Sequence, residues 1–292
     1  MMTCSRPVFW LAVFMVLILS GGAEASSQLD ITLSSTIIPQ GGVGLIRVTG
    51  ETGDTPKVFW MDREVLLVQN DQNTLWYGFF GVDLTRSPGP YSVVIKRHPS
   101  TFEKKIELKI VKKDYGVRRL TLPKKMVDLD QKTLKRVKKE SKIMKALWRS
   151  SPSMPLWRGS FLKPVPGEVK GAFGRRSIIN NQPRSPHSGI DLRGKRGTPV
   201  KGINHGRVVL RGDHFFTGLT VVIDHGGGIQ SMYFHLDKIM VQQDRIIKKG
   251  DVIGLVGSTG RSTGPHLHWG VRINNARVDP MRLNSLSSQL KE

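Results

Sequence analysis

Short apolar runs with a period of two, each broken within a few residues by glycine or proline, direct most of this 292-residue chain toward β-structure rather than long helices. Between residues 28 and 113, Leu29, Ile31 and Leu33 alternate with Asp30 and Thr32. Tyr91, Val93 and Ile95 share a face in the next clear run, and Ile106, Leu108 and Ile110 share one in another. Turn-rich pieces such as PQGG and RSPGP separate these runs. The pattern predicts a β-sandwich-like domain over 28–113 with no catalytic cluster, suited to binding or shielding. From Phe161 to Leu283 the chain is again glycine-rich, with the runs RVVL, LTVVID, IQSMYFHL, DVIGLVG and HLHWGVRI. No long helical period interrupts them, which predicts a second antiparallel β domain within 156–292. The fold class expected is therefore mainly all-β.

The two β regions are joined by a connector, 114–155, of different composition. Residues 112–149 hold 14 Lys or Arg against four Asp or Glu, so this stretch carries nearly half of the chain's formal net charge of +22. After Asp130, an expected N-cap, apolar residues fall at Leu134, Val137, Met144 and Trp148, with Ser141 filling the gap. That spacing places one stripe of a helix against a partner, expected to be this protein's own domain. The lysines then form a solvated basic face, available to an anionic wall or envelope polymer. SSPSMP, residues 150–155, is expected to end the helix and act as a hinge.

Residues 1–25 read as a removable export signal. Arg6 supplies the positive start, residues 8–19 form a 12-residue apolar run, and Ala23-Glu24-Ala25 gives a small-x-small cleavage pattern. Cleavage after Ala25 predicts an exported protein of the periplasm or cell envelope; retention would leave a membrane anchor. Cys4, the single cysteine, leaves with that segment, so no disulfide is expected in the mature chain. Arg6 and Glu24 cancel, so the mature chain keeps its positive balance. Export removes nucleic acid from the expected partners and leaves anionic lipid or an anionic cell wall.

Alternation also sorts the histidines. In HLHWGVRI, Leu267, Trp269, Val271 and Ile273 take one side of a strand, and His266 and His268 take the other. In SMYFHL, Met232, Phe234 and Leu236 form the apolar set, and His235 faces oppositely with Tyr233. In HSGIDL, Ile190 and Leu192 are apolar, and His187 and Asp191 share the other side. One histidine so placed is ordinarily a surface residue, and one such aspartate is ordinarily a turn cap. Four histidines and an aspartate in one domain are also a ligand set suited to zinc, with more groups than the three protein ligands a catalytic site uses. His98 precedes Pro99, His205 and His214 lie in turn-like stretches, and His225 ends TVVID before three glycines; none is expected to be a ligand, and lining the cleft is a secondary role open to His225. Arg175 and Arg176 could meet a substrate carboxylate, but read first as surface charge.

The ordered set HSGID, YFHL and GPHLHW, with GDVIGLVGSTGRSTGPHLHWGVR around the last, resembles the lysostaphin/LytM family of zinc endopeptidases over roughly residues 160–283. The upstream β region and basic helix resemble, more loosely, exported bacterial members with an N-terminal accessory domain. The resemblance implies that His187, Asp191 and His268 bind one Zn²⁺, that His235 and His266 are catalytic without being ligands, and that the substrate is peptidoglycan. No HExxH occurs in the chain, so the imidazoles would do the proton transfer that a glutamate performs in zincins. Both a glycine-rich bridge and a direct D-amino acid cross-link fit this reading. The competing expectation is a non-catalytic wall-binding module, or an activator of another hydrolase, of the kind seen where metal ligands are lost.

Overall fold

The computed structural model describes residues 29–50, 56–96, 102–121, 124, 127–148 and 154–290. The expected export signal, residues 1–25, and His98 lie outside them, as does most of SSPSMP. Among the described residues, the strands form sheets of ten, five, four and three strands, and no helix is long and apolar enough to cross a membrane.

The N-terminal sandwich forms because alternation gives each of its two sheets one apolar face. The four-stranded sheet runs in the order Asp30–Leu33, Val43–Thr49, Leu75–Gly81, Val68–Gln69. The five-stranded sheet runs Ile37–Pro39, Glu103–Val111, Gly89–Lys96, Lys57–Trp60, Arg63–Val65. Ile46, Val48 and Phe80 from the first meet Val58, Val93, Ile95, Leu108 and Ile110 from the second in a closed core. The alternating sets read from the sequence face this core, with Leu33, Tyr91 and Ile106 partly buried at its edge.

The four-stranded sheet is also buried on its other face. Val43, Leu45, Tyr77 and Phe79 belong to one continuous core with Trp157, Phe161 and the interior of the C-terminal sheet. The Phe79 ring lies 5.4 Å from Trp157 and 6.0 Å from Phe161. Just after this sheet, the Asp83 carboxylate accepts from the backbone N–H of Arg277 at 2.9 Å and from its guanidinium at 2.7 and 3.1 Å. The expected accessory domain is thus packed into the peptidase region rather than tethered to it. Strands 43–49 and 75–81 are apolar on both faces, and that two-sided apolarity is the mark of the contact.

The connector is helical only in part. Gln131–Leu147 is a helix capped by Asp130, whose carboxylate accepts from the Thr133 N–H at 2.8 Å. Met144, Leu147 and Trp148 pack on Val222, Met232 and Phe234 of the same chain. Glu140 accepts from the Phe215 N–H at 3.0 Å. Leu134, expected in the stripe, is exposed, so the helix docks through its C-terminal half. Ahead of it, Val117–Leu120 is a strand paired in parallel with Arg176–Ile179, which in turn pairs with Gln182–Arg184. Alternation over four residues of RR-containing sequence gave no sign of this strand.

In the ten-stranded sheet, Gly189–Arg193, His266–Ile273, Ile229–Ile239, Gly218–Asp224 and Gly206–His214 are successive neighbours. Ile190, Leu192, Leu267, Trp269, Val271 and Ile273 point together into the core. The opposite face of the same strands is left for other work.

The Asp83–Arg277 pair gives the fold a testable acid dependence. Burial pushes the Asp83 carboxyl up, but hydrogen bonds from Arg277, then Thr85, outweigh it and hold the group well below the ordinary carboxylate range. A group depressed in the folded state stabilises above its unfolded pKa, near ~3.9, and loses that contribution as pH falls toward its folded value. Asp83→Asn is therefore expected to cost about 2 kcal/mol in urea unfolding at pH 7. The gap between variant and wild type should narrow as the pH is lowered from 5 to 3; a gap independent of pH would contradict the assignment.

Candidate metal centre

The site is built by register. Gly189–Arg193 and His266–Ile273 run antiparallel with Asp191 directly opposite His268, and Phe234 of the third strand stands opposite His268 on its other side. Cross-strand partners share a face, so Asp191, His268 and Phe234 stand in a row on the side away from the core. The Phe234 ring stacks on the His268 imidazole, with centroids 5.1 Å apart and planes 2° from parallel. His187 sits two residues before the first strand and is held by backbone bonds between Gly174 N–H and its carbonyl and between its own N–H and the Arg175 carbonyl.

Three side chains converge to a point. His187 Nε2 lies 3.0 Å from Asp191 Oδ1 and 2.9 Å from His268 Nδ1, and His268 Nδ1 lies 3.0 Å from the same Oδ1. Among the described residues this trio can hold a metal ion. Its chemistry fits one. His187 Nδ1 faces the Ala172 carbonyl at 2.9 Å. A carbonyl only accepts, so that nitrogen carries the proton and Nε2 is left as a lone-pair donor. Two imidazole lone pairs and a carboxylate oxygen at such separations repel one another unless a proton or a cation lies among them. Burial disfavours ionising Asp191, but the close approach of His187 and then His268 outweighs it and keeps the carboxylate ionised. Burial is also the main cause that pushes the His268 pKa down, which favours the neutral, ligating form.

The other two sequence-selected histidines flank this point without joining it. His266 Nδ1 faces the Gly264 carbonyl at 2.8 Å, which leaves its Nε2 as an acceptor 3.8 Å from Asp191 Oδ1. His235 Nδ1 faces the Thr259 carbonyl at 2.8 Å, and its ring lies 4.8 Å from that of His266. Burial, then the charge of His268, pushes the His235 pKa down to about 4, so it is neutral near pH 7. All five residues line one cleft of about 300 Å³ with Phe216, Phe234 and Ile179 among its apolar walls.

His235 lines the cleft, but not by the alternation expected of its strand. Tyr233 and Leu236 both enter the main core, whereas Met232 and Phe234 lie on the cleft side under the helix. Plain alternation would send His235 toward the core with Tyr233. It reaches the cleft because its φ is +62° and the strand bulges between Tyr233 and Leu236, which stand opposite Val221 and Leu219. His225 is a core residue, with Nδ1 on the His205 carbonyl at 2.7 Å and Nε2 on Ser231 Oγ at 2.8 Å. His205 and His214 lie outside the cleft lining, and so do Arg175 and Arg176. The cleft arginines are instead Arg118, Arg184 and Arg261, which the sequence reading missed.

The fold and site together define a metallopeptidase-type β domain. Residues 185–280, from just before His187 to just past Asp279, match Peptidase family M23. A crystal structure from Pseudomonas aeruginosa assigned to peptidase M23 is 34% identical, with a TM-score of 0.65 over 84% of this chain and 94% of that one. This chain belongs to peptidase family M23. It is also 40% identical over 111 residues to the peptidoglycan DD-endopeptidase ShyB of Vibrio cholerae, and 43% identical over 128 residues to the DD-carboxypeptidase/endopeptidase Mpg of Neisseria meningitidis. These matches take in 36% and 39% of this chain and 26% and 30% of the relatives' own lengths.

Gly171 offers a test of the donor cluster away from the ligands themselves. A Cβ there would collide with the Asp191 carboxylate and its Cβ. If Asp191 holds the ion, Gly171→Ala should displace its carboxylate and weaken binding of added Zn²⁺ by about 10–100-fold, as loss of a ligand's support does elsewhere. Competition against a chromophoric chelator measures this, and an unchanged zinc affinity would show that Asp191 does not bind the ion.

Proposed function

We propose that this chain is an exported zinc metalloendopeptidase that hydrolyses peptide cross-links of bacterial peptidoglycan. The observation that carries this reading is the convergence of His187 Nε2, Asp191 Oδ1 and His268 Nδ1 within 3.0 Å of one another. The relatives named for peptidoglycan endopeptidase activity support the substrate class. The leading apolar segment supports a place in the periplasm or cell envelope. A non-catalytic wall-binding role is not favoured, because the ligand positions whose loss would mark it are filled.

His187, Asp191 and His268 would hold one Zn²⁺, which when bound supplies a Lewis acid for activating water and polarising a carbonyl. His266 and His235 divide the proton traffic. The Gly264 and Thr259 carbonyls fix the tautomers, so both rings present Nε2 as an acceptor toward the cleft. Either ring can take a proton from the attacking water at Nε2. Once protonated, it donates from the same atom to the developing oxyanion or to the departing amine. His266, closer to the donor cluster, is placed to receive the proton first. Phe234, stacked on His268, excludes water from one side of the ligand and holds its ring plane.

The basic helix would assist by delivery. Lys132, Lys135, Lys138, Lys139, Lys142 and Lys145 are all exposed, and the helix docks by its other side. We assign this face to anionic wall polymers.

Three outcomes are expected. Zinc-loaded full chain should release new muropeptides from purified sacculi, identified by mass, and chelator should stop it; intact sacculi under conditions where a related enzyme digests them would reject the function. His266→Ala should keep its zinc yet lose on the order of 10²–10⁴ in turnover. Separately, replacing the six lysines by glutamine should weaken retention on sacculi at low salt and leave turnover on a small soluble peptide alone. Equal loss of both activities would reject the delivery role.

A further inference from the structure

The cleft holds three guanidinium groups around a single carboxylate, and that carboxylate belongs to the donor cluster. Arg118, Arg184 and Arg261 line it, and Asp191 is the one acidic residue doing so among the described residues. Two of the arginines are aligned by a short sheet. Arg118 stands opposite Ser177, and Ser177 opposite Arg184, across the strands Val117–Leu120, Arg176–Ile179 and Gln182–Arg184. This places Arg118, Ser177 and Arg184 side by side on one face.

The bonding of Arg118 and Arg184 leaves capacity for a ligand. Arg118 Nε donates to Ser177 Oγ at 2.9 Å, while its nearest terminal nitrogen stands 3.9 Å from Asp191 Oδ2, too far for a hydrogen bond. Arg184 donates to Gln182 Oε1 at 2.6 Å, yet its Nε is buried with no hydrogen-bond partner among the described residues. Arg261 lies over the Phe216 ring, 4.2 Å from its centroid, on the loop that leads to His266. Its pKa is pushed down by burial and then by the charges of Arg184 and Arg118, so the three cations feel one another. Like charges gathered in a partly buried cleft destabilise the fold unless something negative enters. A planar carboxylate suits them, because guanidinium N–H groups bind it in pairs.

We propose that Arg118, Arg184 and Arg261 form a carboxylate-binding subsite beside the metal centre, selecting peptide cross-links that carry a free carboxylate next to the bond to be cut. The inference rests on the peptidase reading and narrows it. An uncharged glycine bridge offers this subsite nothing, whereas an amide formed on the amino group of a diamino acid with a free carboxyl offers it a partner. The subsite also gives the upstream chain a part in specificity, since Arg118 lies on the segment before the basic helix.

The test uses two synthetic peptides joined by an amide between a D-amino acid carbonyl and the amine of a diamino acid. One has the adjacent carboxyl free, and the other has it as the carboxamide. Zinc-loaded full chain is expected to favour the free acid by about tenfold or more in kcat/KM, the scale of a hydrogen bond to a charged group. Arg184→Gln and Arg118→Gln should each pull that ratio toward one, mainly through KM, with zinc content unchanged. Arg184→Lys should restore it only in part, since an ammonium keeps the charge and loses the fork. A wild-type ratio near one, or a ratio untouched by the variants, overturns the subsite while leaving the peptidase reading in place. If neither peptide is cut, the peptidase reading falls, and calorimetric binding of the same two peptides to the chain decides the subsite. Tighter binding of the acid, lost in the variants, supports it; equal affinities refute it.

Discussion

The register between Gly189–Arg193 and His266–Ile273 is the constraint on which the site depends. It sets Asp191 opposite His268 and brings their ligand atoms to 3.0 Å. What fixes the register is on the other side of the sheet. Ile190, Leu192, Leu267 and Trp269 are buried there, each at 2% exposure or less. Because side chains alternate, sliding Gly189–Arg193 by a single residue would turn Ile190 and Leu192 out of the core and Asp191 into it. The apolar core thus holds the ligand geometry without touching it, at a cost to slippage of about 1.5–3 kcal/mol for each large side chain exposed. Glycines complete the arrangement. Gly189 packs so closely on Trp269 and on the His268 ring that a Cβ would not fit between them.

His235 shows where the site departs from the logic of its strand. A non-glycine residue at φ +62° is costly, of order 1–3 kcal/mol, and persists only where surrounding contacts impose it. Here the Thr217 carbonyl accepts from the His235 N–H and the Thr259 carbonyl holds the ring nitrogen, each at 2.8 Å. The reversal lets consecutive residues serve one cleft: Phe234 by stacking on the ligand ring, His235 by presenting its Nε2. A regular strand could offer only one of the two.

This explains which parts of the protein were legible in its sequence. Strands with one buried face announce themselves by period two, and the same period assigns Asp191, His266 and His268 to the far side of Ile190, Leu267 and Trp269. The ordered motif set then marks the donors. Three things left no local trace. The side taken by His235 depends on a backbone reversal that alternation cannot register. The strand Val117–Leu120 forms only because Arg176–Ile179 lies beside it, and parallel pairing across more than fifty residues has no signature in either segment. The merging of the two β regions into one core rests on Tyr77 and Phe79 meeting Trp157, which the sequence places about eighty residues apart.

The same long-range packing ties the N-terminal region to the candidate metal centre through consecutive contacts. Tyr115 donates from its hydroxyl to the Gln40 carbonyl at 2.6 Å and meets the Phe173 ring edge-on at 5.5 Å. Its ring lies so close over Gly174 that any side chain at that position would clash. Gly174, in turn, gives its N–H to the His187 carbonyl at 2.8 Å. Two residues beyond Tyr115 the chain enters the strand that carries Arg118. One short segment therefore touches the sandwich, backs the loop that bears His187 and supplies a cation to the cleft wall. A region that contributes no side chain to the donor cluster can still set how the cleft is held, because the atoms that fix His187 and Arg118 in place belong partly to it.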